Sequence, residues 1–123
     1  LGPADINAAA GHMRDAAEAG FAPAMVGLGL LLHDGAAGED RPADWFARAA
    51  EAGDPQGMFL YAVALSQGDG RERDEDAAIA QLDALIASPD PADPALIRQA
   101  KRLRAELQRG RDGGLFGFGR RGD

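Results

Sequence analysis

The stretch "AAEAG" occupies Ala16–Gly20 and returns, letter for letter, at Ala49–Gly53, an interval of 33 residues. Self-similarity at that spacing marks stacked helical hairpins, each too small to bury its own apolar face. The repeat reaches beyond five letters. The same shift carries Met25 onto Met58, Leu28 onto Tyr61, Gly29 onto Ala62, Leu32 onto Leu65 and Gly35 onto Gly68, with size class kept at each position. Ala24 and Gly57, then Gly29 and Ala62, put small residues where a neighbouring helix backbone comes close. These four are expected to be contact points between helices.

Working outward from the repeat, local signals give helices joined by short loops. Asp54 before Pro55 reads as an N-cap and first helical position, and Pro23 and Pro42 suit first turns, where a proline sacrifices no intrahelical hydrogen bond. Gly20, Gly35, Gly53 and Gly68 stand where helices end. Asp74, Glu75 and Asp76 place negative charge at a helix start, followed by the apolar stripe Ile79, Leu82, Leu85 and Ile86. Asp93-Pro94 opens a last helix with Ile97, Ala100, Leu103 and Leu107 on one face. The pattern predicts helices at 5–19, 22–34, 42–52, 55–67, 74–87 and 94–109. No stretch alternates with period two, so an all-α fold without a sheet is expected.

Composition agrees with one folded domain: of 123 residues, 46% are apolar and 27% charged. The longest apolar run, Ala24 to Leu32, falls far short of the roughly 20 residues that cross a bilayer. Absence of cysteine excludes disulfides and thiolate metal sites. The chain starts at Leu1 without a methionine or a leader segment, the pattern expected of a trimmed or mature product. Charge is divided between the ends. Residues 1–95 hold 17 acids and 5 bases, whereas residues 96–123 hold 3 acids and 8 bases.

A more specific pattern joins these features. A small residue is followed by Leu-Gly, then Leu and Gly, a loop with Asp, an aromatic pair, and Ala-Ala-x2-Gly. Ala24, Leu28, Gly29, Leu32, Gly35, Trp45, Phe46, Ala49, Ala50 and Gly53 carry it. In this the chain resembles the Sel-one-like repeat, a relative of the tetratricopeptide repeat. The second copy keeps Gly57, Tyr61, Ala62, Gly68 and Gly70, but has Gln81 and Leu82 in place of the aromatic pair and a loop longer by three residues. Upstream, His12 and Met13 take the pair's place, so the array begins with half a unit. The resemblance implies a right-handed α-α superhelix, here of about two and a half hairpins with a C-terminal capping helix, whose first helices line a concave face. The expected division is a repeat domain over residues 1–109 and a flexible Gly/Arg/Phe tail over 110–123.

Residue chemistry points away from catalysis. Threonine and cysteine are absent and the serines are only Ser66 and Ser88, so nucleophiles are scarce. His12, His33 and Asp34 are weighed as a metal or catalytic group, against packing or surface roles. "GDGRERDED" at 68–76 matches a calcium loop in charge alone. The terminal G-x-G-x-x-G at 117–122 has no strand before it, and Arg121-Gly122-Asp123 reads as coincidence. An acidic body disfavours nucleic acid, whose phosphates would be repelled. No enzyme activity, cofactor or metal is expected.

The resemblance implies adaptor or scaffold work in bacterial systems, in cytoplasm or periplasm. The function expected is a monomeric protein-interaction module that binds a peptide or helix on the concave face. The alternative is a regulatory fragment of a larger enzyme or receptor. With Ala24, Leu28, Leu31, Leu32 and Gly35 turned inward, helical geometry turns Val26, Leu30 and His33 to the other side, and Phe59, Val63 and Ser66 follow at the same offsets. These six form the expected partner-binding stripe. The tail, with Phe116, Phe118, Arg120 and Arg121, is the nearest ligand for that groove if it is open.

Overall fold

Proline and glycine punctuate the chain where the sequence signals place them. The computed structural model describes residues 2–68, 72–88 and 93–116. Among these it has six helices and no strand: α1 Pro3–Glu18, α2 Ala22–His33, α3 Pro42–Glu51, α4 Pro55–Gln67, α5 Glu75–Ile86 and α6 Pro94–Phe116. The fold is all-α. Four helices open on a proline, and three starts are held by an aspartate. Asp54 accepts from the Gly57 amide at 2.9 Å, Asp74 from Ala77 at 3.0 Å and Asp93 from Ala95 at 3.0 Å. The turns after α1, α2, α3 and α4 use Gly20, Gly35, Gly53 and Gly68 with φ between 72° and 110°, left-handed backbone that a Cβ would disfavour.

The last helix departs from expectation. It runs to Phe116, past the predicted end at 109, so residues 110–116, assigned in the sequence to a flexible tail, are helical. Extending a helix already formed adds one hydrogen bond per residue without a new nucleus, which offsets the roughly 1 kcal/mol that each glycine costs. Phe118, Arg120, Arg121, the terminal glycine motif and Arg-Gly-Asp lie outside the described residues, as does Gly70.

Each helix packs on the next, and in addition α2 touches α4 and α4 touches α6. The core divides into two clusters. One joins α1, α2 and α3 around Ala17, Ala24, Leu28, Leu32, Trp45 and Ala49. The other joins α4, α5 and α6 around Ala62, Leu65, Leu82, Leu85 and Ala100. The four expected contact positions are all buried. A Cβ built on Gly57 would stand 2.5 Å from that of Ala49 and 3.1 Å from the backbone of Ala49 and Ala50, so α4 meets α3 nearly backbone to backbone. On Gly29 it would stand 2.5 Å from the ring of Phe46, which fixes how closely α3 lies on α2.

A polar node ties α1 to this core. Asp40, in the loop before α3, accepts from Arg14 Nη1 at 2.7 Å and from Trp45 Nε1 at 2.7 Å. The Arg14 guanidinium, with help from the indole N–H, holds the Asp40 carboxyl down at about 2 against the opposing effect of burial. Arg14 is raised in turn, chiefly by its hydrogen bond to Asp40. Nearby, Asn7 Oδ1 accepts from the Ala37 amide at 2.7 Å. The loop aspartate thus fastens α1 to the loop before α3.

Candidate partner-binding surface

The even-numbered helices carry the candidate surface. Between α2 and α4 lies a hollow of about 130 Å³, walled by Leu30 and His33 on one side and by Leu60, Val63, Ala64 and Gln67 on the other, with Phe46 also lining it. Between α4 and α6 lies a second of about 270 Å³. Its α4 wall is Phe59, Val63, Ser66 and Gln67; its α6 wall is Gln99, Arg102, Leu103 and Glu106. Val63 and Gln67 line both. The two hollows therefore adjoin in one track across three helices.

Five of the six expected site residues line this track: Leu30, His33, Phe59, Val63 and Ser66. Val26 does not. It is 5% exposed and belongs to the first core cluster. The physical reason is that α2 is packed by α1, α3 and α4 together, so its buried arc is wider than a single inward stripe. Ala24, Leu28 and Leu32 face inward as expected, Leu31 is half-buried, and Gly35 is exposed in its turn. Sequence reasoning missed the α6 wall, because α6 was assigned the role of a cap. A usable signal was present: Asp93-Pro94 opens α6 as Asp54-Pro55 opens α4, which makes α6 a third helix of the same kind.

The floor of the track is aliphatic and aromatic, whereas its rim is amide and ionic. Gln67 and Gln99 each offer donors and an acceptor, the complement of a peptide backbone. Arg102 and Glu106 add one charge of each sign on α6. Ser66 donates its hydroxyl to the Val63 carbonyl at 2.8 Å, leaving the oxygen's lone pairs available.

Other candidate groups do not assemble. His12 is exposed on α1, and His33 Nδ1 stands 3.7 Å from its neighbour Asp34 in solvent. Among the described residues no three His, Asp or Glu side chains converge as a metal site requires. In the acidic stretch 72–76, Asp74 is committed to capping α5 and Glu75 pairs with Arg73. No helix among the described residues is long and apolar enough to cross a membrane.

Comparison with protein-family models, with curated proteins and with solved structures gives no match to this chain.

Proposed function

We propose that this chain is a protein-interaction module of the Sel-one-like type, in which α2, α4 and α6 line the concave face of a right-handed superhelix and take up a peptide or helix of a partner protein. The observation that carries the proposal is the continuous track across those three helices. Its curvature is supported by the packing: even helices touch one another, while the odd helices make no such contact among the described residues. A row in closer contact is the inner row of an arc, and helical arrays use that side for extended ligands. The anchors are Leu30, Leu60, Val63 and Phe59, with Gln67 and Gln99 bonding the ligand backbone.

Selection of binding peptides from a random library, followed by titration against Val63→Arg, tests the proposal. Val63 is half-buried and shared by both hollows, so a long charged side chain there fills the track. Peptides selected on the natural chain should lose at least about tenfold in affinity, equivalent to about 1.4 kcal/mol. Undiminished binding, with chemical-shift changes away from α2, α4 and α6, would refute it.

A further inference from the structure

Among the described side chains three large apolar ones are exposed, all on α1, α2 or the turn between them: Met13 at 39%, Phe21 at 60% and Leu30 at 39%, the last also lining the α2–α4 hollow. The repeat explains why the α1–α2 end is bare. Met13 is the counterpart of Phe46, which α2 covers; the α2 residues Gly27, Leu30 and Leu31 are counterparts of Leu60, Val63 and Ala64, which face α2 from α4. Met13 lies against Gly27, where a Cβ would stand 3.0 Å from its sulfur. Asp15, Glu18 and Asp34 are exposed on the same two helices or just beyond α2.

The other end has the opposite character. α6 carries six basic residues against two acidic ones. Arg98, Lys101, Arg102 and Arg109 are exposed, and Arg104 pairs with Asp83 of α5. Between α5 and α6 a hollow of about 470 Å³ is lined by Ile86, Ala87 and Ala105, with Lys101 and the Arg104–Asp83 pair at its edge. Lys101 stands as far beyond Pro94 as Ala62 does beyond Pro55, in the place where an even helix receives the odd helix that follows it.

From these two ends we infer that the chain associates head to tail with a second copy of itself, the α1–α2 end of one molecule seated on the α5–α6 end of the next. Helix α1 is of the odd kind and α6 of the even kind, so one copy's α1 meets another's α6 as α3 meets α2 within the chain. Register and surface chemistry select the same spot. Met13 falls at Lys101 and Ala105, an apolar knob against a largely apolar hollow, and the acid-rich α1–α2 end meets a helix of net positive charge. The Lys101 stem covers apolar surface while its ammonium stays in solvent toward the acid-rich end of the other copy. A symmetric pair through the α1–α2 ends would set acid against acid. The contact joins unlike surfaces, so it propagates and does not stop at two. It replaces the monomer expected from the sequence, and it does not depend on the peptide-binding track.

Because the chain has no cysteine, introduced ones report cleanly. Met13→Cys and Ala105→Cys, both at exposed positions, are mixed under mild oxidation at low ionic strength. The mixed disulfide should exceed either homodimer by about tenfold, and the chain carrying both should give a ladder. At ~1 M salt, where the Debye length is about 3 Å, the yield should fall, as it should in Arg98→Glu/Lys101→Glu. Sedimentation of the natural chain should show an average mass that keeps rising with concentration. Met13→Cys pairing with itself as readily as with Ala105→Cys would overturn the inference, as would a monomer at every concentration. Met13→Glu should abolish assembly and leave selected peptides bound, which separates failure here from failure of the binding track.

Discussion

Replacing Gly57 by alanine adds a single methyl group where α4 meets the backbone of α3. That carbon would lie 2.5 Å from the Ala49 Cβ and 3.1 Å from two backbone atoms of α3, none of which can rotate away. The helix or its neighbour must shift, at a cost of about 1–3 kcal/mol for overpacking. Shifting α4 also strains the Gly57 amide's bond to Asp54. Against this, alanine gains up to about 1 kcal/mol over glycine in helix propensity. With the middle of the first range, the net loss is about 1 kcal/mol, which for a domain of this size lowers Tm by roughly 3–6 °C. Thermal and urea unfolding followed by circular dichroism measure it. Gly27→Ala is the control. There the new carbon meets only the flexible thioether of Met13, 3.0 Å away, so stability should hold or rise. Adding Ala49→Gly to Gly57→Ala removes the shortest contact and should restore part of the loss, with a coupling of about 0.5–3 kcal/mol. An unchanged or raised Tm in Gly57→Ala would refute the close approach of α3 and α4, because propensity alone favours alanine.

The polar node predicts the acid response. The Asp40 carboxyl sits below its ordinary 3.8, at about 2, so it stabilises the fold above 3.8 and loses that contribution as pH falls toward 2. Asp40→Asn should lower stability at neutral pH by about 1–2 kcal/mol and flatten the acid limb of a stability profile over that interval. Asp54→Ala removes the N-cap of α4 and should cost about 1 kcal/mol in the urea midpoint, with Asp54→Ser recovering most of it.

Helix positions were legible because prolines and glycines act locally. Pro42, Pro55 and Pro94 begin their helices where the sequence puts them, and Gly53 or Gly68 needs only its own backbone to mark an end. Small-residue contacts were legible through the repeat, which aligns Gly29 with Ala62 and Gly57 with Ala24, all four buried. The Arg14–Asp40–Trp45 node was hidden, since Arg14 and Asp40 are 26 residues apart and nothing local to either joins them. Val26 was misplaced because periodicity reports one favoured face, whereas three neighbours bury α2. In the track, α4 residues followed from the stripe; the α6 wall did not, because basic side chains on an amphipathic helix serve a cap and a groove equally well.

The division of the core has a consequence for how the molecule comes into being. The first cluster draws on residues from Ile6 to Leu60 and the second on residues from Met58 to Leu107, so they abut in the chain and barely interleave. No helix contacts another more than two elements away among the described residues. Contacts so near in sequence close short loops, and proteins built that way fold in microseconds to milliseconds. During synthesis, at about 5–20 residues per second, several seconds separate completion of the first cluster from that of the second. Half the molecule can be folded before the other half exists, with the newly made α4 offering the exposed edge on which α5 and α6 assemble.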